Sequence, residues 1–218
     1  MVERLTAQGG TAVMGEITEF IGAEHIMAAH AKDQATAQKI LDLVARMEAR
    51  AEAVGCDMRG GQPTPGNIKG GLTTIEEKSL GAIAKAGRAV VQEVCEYGER
   101  PQGRGLAVMD SPGREPELLT GLAAAGCNLI VFATGRGAPQ GFPFVPVLKV
   151  TGNRKTWENL NDHMDLSVAE VIEGRESMPA AADRLFDTVR AVASGTLTKA
   201  EVSGYFKATD IYVTGPVI

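Results

Sequence analysis

The chain has 218 residues, 44% hydrophobic and 22% charged, values of a globular protein with enough length for a substantial core and not of a disordered one. A net charge of −5 argues against general binding to nucleic acid or to an anionic membrane surface, without speaking against a local basic pocket. Cys56, Cys95 and Cys127 form no CxxC pair, and neither a signal-peptide core nor an apolar run of ~18 residues appears, so a soluble protein of the reducing cytoplasm is expected, with no membrane partner.

Thr11–Gly15, an apolar run after Gly9-Gly10, reads as a strand. Glu16, Glu19, Glu24 and His25 follow it closely. Of these, Glu19, Glu24 and His25 are candidate ligands for a divalent metal, which takes oxygen and imidazole donors. Acidic residues near a helix start also complement its dipole, and that reading stands beside the first. His25–Ala53 reads as one long helix with Ile40, Leu43, Val44 and Met47 in its apolar stripe and Gly55 after its end. Residues 1–60 are thus a strand plus a long helix, ahead of an α/β core with Gly-rich loops over 61–218.

Pro63 to Thr74 reads as a long loop without secondary structure. Pro63 and Pro65 disfavour helix just before them, and Gly66, Gly70 and Gly71 open backbone regions closed to other residues. The loop feeds a helix over Thr74–Ala86 that Gly87 stops. Free backbone N–H groups at such a helix start favour an anion, which makes Asn67, Lys69, Gly70, Gly71 and Thr73 candidates for substrate binding. An ordinary connection is the alternative. Thr73 or Thr74 can cap the helix, with Glu76 or Glu77 three residues later. Adjacent helical residues diverge by ~100°, so one carboxylate of the pair faces the loop. Glu77 is assigned that place, because Glu76 completes a capping box with Thr73.

Arg88–Val94 reads as a strand, with a turn of helix as the alternative, and Leu106–Met109 as a buried strand that ends on Asp110-Ser-Pro-Gly113. Asp110 is either a ligand-binding group at the strand's tip or the cap of a helix over Glu115–Ala125. Cys127–Ala133 is the clearest buried strand. Thr134, Gly135, Arg136 and Gly137 follow it and fit a fork for a carboxylate or phosphate, against the alternative of a turn with a solvated arginine. Phe144–Val150 is another strand, in which Pro146 hints at an edge or bulge and Lys149 must snorkel, pair or face a site. Asp162, His163 and Asp165 form an acidic group with one histidine. An amphipathic helix over Pro179–Ala193 and a last strand or extended segment over Asp210–Val213 complete the chain. Apolar runs alternating with helices predict an α/β fold with a parallel, Rossmann-like or flavodoxin-like sheet and helices on both faces. The G-x-G-x-x-G fingerprint is absent after the first strand, so NAD is not expected.

Pro63-Thr-Pro-Gly-Asn-Ile-Lys-Gly-Gly-Leu-Thr-Thr-Ile-Glu-Glu-Lys-Ser-Leu-Gly81 resembles the signature of the altronate dehydratase and galactarate dehydratase family, hydro-lyases of sugar acids with sulfolactate sulfo-lyase as a relative. The resemblance covers nearly the whole chain. It continues in Gly15-Glu-Ile-x-Glu-x-x-Gly-Ala-Glu-His25, Met109-Asp-x-Pro-Gly113, Phe132-x-Thr-Gly-Arg-Gly137 and Pro146-x-x-Lys149. Where the family tends to read Asp-x-Asn-Ala-Gly, this chain has Asp165-Leu-Ser-Val-Ala169, so substrate identity does not carry over at that point.

The resemblance implies elimination of water from a sugar acid such as altronate or galactarate, giving a 2-keto-3-deoxy acid. It also implies Fe²⁺, or Mn²⁺ in its place. Arg136 and Lys69 would clamp the substrate carboxylate, and Glu76, Glu77 or a desolvated Lys149 would serve as base. Full-length members are longer and carry a small SAF-type domain ahead of this region. The chain is therefore expected to be a C-terminal portion, with an N-terminal domain or a separate small subunit as partner, in a homo-oligomer. Two alternatives are a non-catalytic binding or oligomerisation domain and a subunit of sulfolactate sulfo-lyase type.

Overall fold

The structure, a computed structural model, describes residues 1–206 and 209–215. The chain divides into two units, one of Val2–Ala125 joined by the chain from Ile211 onward, the other of Gly126–Asp210. Both are α/β with parallel strands, the predicted class, but the strands fall into two three-stranded sheets rather than one. Among the described residues no helix is long and apolar enough to cross a membrane.

The first unit runs α1 (Val2–Ala7), β1 (Thr11–Met14), α2 (Glu24–Ala28), α3 (Gln34–Glu52), α4 (Met58–Gly61), α5 (Pro65–Lys69), α6 (Ile75–Ile83), β2 (Val91–Cys95), β3 (Gly105–Met109) and α7 (Glu115–Ala124). Its sheet has the order β1-β3-β2, with Met14 opposite Val108 and Cys95 opposite Met109. Central β3 buries Leu106 through Met109, as a strand covered on both faces must. The apolar stripe of α3, Ile40, Leu43, Val44 and Met47, packs into the same core as Ile17, Phe20, Ile21 and Val91.

The helix predicted over His25–Ala53 is in fact two. Between them Ala31 makes a parallel bridge to Val91, the Val91 N–H donates to His30 O, and the Lys32 N–H donates to Val91 O. Asp33 then caps α3, its carboxylate accepting from the Thr36 N–H at 2.7 Å. Helix-favouring composition hides this break, and Asp33 is the residue that signals it.

The stretch Asp210–Val213, predicted as a strand or an extended segment, forms no strand. Instead Tyr212 anchors the chain's end to the first unit. Its ring meets Tyr97 edge-on at 5.4 Å, its hydroxyl accepts from Arg50 at 2.9 Å, and its N–H donates to the Tyr97 hydroxyl at 3.3 Å.

The second unit runs β4 (Ile130–Ala133), β5 (Val147–Thr151), α8 (Arg154–Asn159), β6 (Leu166–Ser167), α9 (Ala169–Ile172), α10 (Met178–Ala193) and α11 (Lys199–Ser203), with the sheet order β4-β5-β6. Two expectations change here. β4 is an edge strand with Val131 38% exposed, not the best buried one. β5 is the central strand, all five residues buried. Pro146 stands just before it, where the missing N–H breaks no ladder bond, so it marks no edge. α10 lays Leu185, Val189 and Val192 against Leu148, Val150 and Leu166.

Lys149, between Leu148 and Val150 and so on the other face of β5, is buried at 0% exposure, its Nζ donating to Pro139 O at 2.9 Å and Gln140 O at 3.3 Å. Asp165 braces the same region, accepting from the Lys149 N–H at 2.6 Å and from the Lys199 N–H at 2.7 Å.

Asp33→Ala should lower the melting temperature while Asp33→Asn, which still caps, largely retains it. The bonds from Thr36 hold the Asp33 carboxyl below its usual value. Its contribution is thus complete above the unfolded value and lost as pH falls through the folded one, a dependence that Asp33→Asn should remove in pH-resolved thermal melts. Asp165→Ala removes two charge-assisted bonds and should cost about 2–3 kcal/mol in urea unfolding.

Candidate active site

Parallel strands end on a common edge, so each sheet collects its own polar groups there. In the first unit β1 gives way to Gly15 and Glu16. A Cβ on Gly15 would stand 2.6 Å from the Ser111 hydroxyl, so the close approach of the β1 and β3 ends requires glycine. Glu16 takes φ 63°, ψ 57°, and its N–H donates to the Ser111 Oγ at 2.8 Å. Its carboxylate meets Lys85 at 3.5 Å. Glu19 meets the same Lys85 at 3.6 Å and Lys78 at 3.3 Å. Burial pushes the Glu16 carboxyl above its usual value, Glu19 adds to this, and Lys85 and Lys78 oppose it.

The three residues expected as metal ligands do not converge. Glu19 is taken up by the two lysines, Glu24 lies 3.8 Å from Arg59, and His25 is exposed. Among the described residues no group of three or more His, Cys, Asp or Glu side chains is disposed to hold a metal ion.

The stretch from Pro63 to Thr74 is more structured than its glycines suggest. Thr64 caps α5 in a capping box with Asn67, and Pro65 occupies the first helical turn. Asn67 is thereby engaged in the cap, while Lys69, Gly70 and Gly71 are exposed at the end of that short helix. The signal was Thr-Pro-Gly-Asn itself, a cap followed by its reciprocal partner three residues on.

Of Glu76 and Glu77, the capping role falls to the second and not to the first. Thr74, not Thr73, caps α6, which makes Glu77 the third helical residue. Its carboxylate turns back to accept from the Thr73 N–H at 2.8 Å and the Thr73 hydroxyl at 2.6 Å, so Glu77 and Thr73 serve the cap. Those bonds hold Glu77 below its usual value. Glu76 instead lies over Gly22, where a Cβ would come within 2.8 Å of its Cγ.

Asp110, at the tip of β3, does not cap α7, whose N-cap is Arg114. It is 3% exposed and binds Arg46 at 2.8 Å and Arg50 at 3.4 Å, while Arg46 also forks onto Glu96. Asp110 Oδ1 is buried without a partner among the described residues.

In the second unit the loops after β4, β5 and β6 enclose a concavity of about 590 Å³ lined by Thr134, Gly135, Gly152, Asn153, Arg154 and Val168 among others. Thr134 Oγ1 accepts from the Gly137 N–H at 3.1 Å, and Gly135 O accepts from the Thr156 hydroxyl at 2.7 Å. Gly137 has φ +87°, which a glycine adopts without strain. Arg136 is exposed beside this mouth and makes no ion pair among the described residues. Lys149, buried on its two carbonyls, does not line the concavity.

Sequence reasoning missed Lys78, Lys85 and Asn153, and named Glu16 without giving it a role. It also missed Arg154, which binds Glu170 at 2.6 Å and Glu173 at 3.0 Å at the concavity. Only Glu16 carried a usable signal, since it directly follows a strand and a glycine.

A family model described as D-galactarate/altronate dehydratase, C-terminal, matches residues 1–216. The chain is 37% identical over 192 residues to the altronate dehydratase of Escherichia coli, covering 88% of this chain and 38% of that protein. It is 37% identical over 214 residues to the (2R)-sulfolactate sulfo-lyase subunit beta of Chromohalobacter salexigens, covering 96% and 55%. To the galactarate dehydratase (L-threo-forming) of Escherichia coli it is 33% identical over 187 residues, covering 86% and 36%. The chain spans between about a third and just over half the length of these curated relatives. With a match that runs through all but its last two residues, the chain belongs to the D-galactarate/altronate dehydratase C-terminal family.

Proposed function

We propose that this chain is the C-terminal portion of a cytoplasmic hydro-lyase that removes water from a sugar acid such as altronate or galactarate and yields a 2-keto-3-deoxy acid. The family match over residues 1–216 carries the reading. Further sequence or a separate small subunit completes the enzyme, in keeping with relatives longer than this chain. The chemistry needs a clamp for the substrate carboxylate, a base for the proton beside it, and a proton for the departing hydroxyl. Arg136, exposed between Gly135 and Gly137 at the second sheet's carboxyl edge, has the planar fork such a clamp uses. Glu19 and Glu24 already face Lys78, Lys85 and Arg59, so these residues do not fit the divalent ion that the family resemblance implies.

A subunit of sulfo-lyase type is the second reading, favoured by the 96% coverage of this chain in the sulfolactate relative. One screen separates the two: the complete protein, supplied with Fe²⁺ or Mn²⁺ under anaerobic conditions, is offered aldonates, aldarates and sulfolactate. Formation of a 2-keto-3-deoxy acid supports the hydro-lyase, sulfite release supports the second reading, and neither product from any of them overturns both.

Arg136→Lys should weaken binding of the accepted acid by about 1–3 kcal/mol, the worth of a charge-assisted bond, as read by titration calorimetry. Unchanged affinity would remove Arg136 from the clamp.

A further inference from the structure

We infer that Glu173, through its hold on Arg154, selects acids whose far end is an uncharged alcohol over acids that end in a second carboxylate. The inference rests on the hydro-lyase reading above, and every residue it uses lies in the second unit.

Thr134 and Gly135, directly before Arg136, line the concavity after β4, β5 and β6. An acid whose carboxylate is held by Arg136 therefore extends its remaining carbons into that space. Its volume of about 590 Å³ is in the range of small-ligand sites. The lining suits a chain of hydroxyls. Val150, Val168 and Ile172 offer apolar surface to the C–H faces, and Ile172 keeps 77% exposure. Gly152 makes room for it, since a Cβ there would stand 2.9 Å from Ile172 Cδ1. Asn153 Oδ1 accepts from the Lys155 and Thr156 N–H groups at 3.0 and 3.2 Å. Its Nδ2 makes no bond among the described residues and is left to donate to a ligand hydroxyl.

A free positive charge is what this lining lacks. Arg154 is the one cation among the lining residues, and its guanidinium is already engaged. Nε donates to Glu173 Oε1 at 3.2 Å, and Nη2 donates to Glu173 Oε2 at 3.0 Å and to Glu170 Oε1 at 2.6 Å. Nη1 makes no bond among the described residues, so a neutral hydroxyl can accept from it. The bonds from Arg154 hold the carboxyls of Glu170 and Glu173 below their usual values, which keeps both anionic at neutral pH. Arg175 also binds Glu173, and Arg184 binds Glu176 at 2.7 Å. Three arginines thus face three glutamates, with no cation in excess.

Arg154, Glu170 and Glu173 are each about two-thirds buried, so solvent screens them incompletely. A second substrate carboxylate brought to Arg154 meets the like charges of Glu170 and Glu173 with nothing to offset them. An alcohol at the same place meets no such repulsion. Discrimination of this kind comes from a repulsive element built against the wrong ligand.

Calorimetry and steady-state kinetics on the complete protein test this with two pairs of acids, altronate with altrarate and galactonate with galactarate. Each pair differs only in whether C6 is an alcohol or a carboxylate. The parent should bind the aldonate of a pair at least about tenfold more tightly than the aldarate, and show the same preference in kcat/KM. Glu173→Gln leaves one cation in excess and should move that ratio about tenfold towards the aldarate. Glu173→Asp keeps the charge and should hold the ratio near the parent's. Because the readout compares two acids on one protein, a change in the folded fraction cancels from it. A parent that takes the aldarate as readily as the aldonate, or a ratio unmoved by Glu173→Gln, overturns the inference and leaves the hydro-lyase reading standing. A parent that dehydrates no sugar acid overturns that reading, and the inference falls with it.

Discussion

Parallel pairing is the constraint on which the rest of this protein depends. Because β1 and β2 both run alongside β3, each connection must cross back, and all three strands deliver their last residues to one edge. Gly15-Glu16, Cys95-Glu96 and Asp110 meet there, tied by the Asp110 N–H donating to Cys95 O. The second unit repeats the arrangement around β5, with Thr134, Gly152 and Val168 following its three strands. Where polar chemistry gathers in either unit is thus decided by apolar strands that take no part in it.

The charges at the first edge are balanced rather than spare. Asp110 sits in the core's margin, and two arginines one turn apart on α3 converge on it. A carboxylate so deeply withdrawn from water persists only with such partners, and losing one of them is far worse than never having had the pair. The position of α3, fixed by its cap at Asp33 and its buried stripe, is therefore also what brings two guanidinium groups to β3's tip. Glu16 and Glu19 follow the same rule with Lys85 and Lys78, but on a more open surface.

The sequence made some of this legible and hid the rest for identifiable reasons. Strands β1, β3 and β5 announced themselves as apolar runs, and α10 by its period. The break between α2 and α3 was invisible because Ala, Lys and Gln favour helix, whereas the competing bridge to Val91 comes from residues far along the chain. Glycine and proline made residues 63–74 look like open loop, when Thr64 and Asn67 close a helical turn within it. Glu76 was given the capping role that Glu77 takes because the cap was placed one residue early, at Thr73. The carboxyl-edge positions of Asp110 and Thr134–Gly137 were readable from strand ends. The pairing of Asp110 with α3 was not, since sequence carries no record of which distant cation reaches a buried acid.

The return of the chain at Tyr212 has a consequence of its own. Residues Gly126–Asp210 leave the first unit after Ala125 and rejoin it at Ile211, so they form an excursion fastened at both ends. Closing such an excursion costs entropy that grows only with the logarithm of its length, about 0.6 kcal/mol for each doubling. The first unit is therefore nearly indifferent to how long the excursion is, provided Tyr212 still finds Tyr97 and Arg50. An insertion or deletion between those two points can therefore leave the β1-β3-β2 sheet as it is, and the first unit sets no narrow limit on the length of the second.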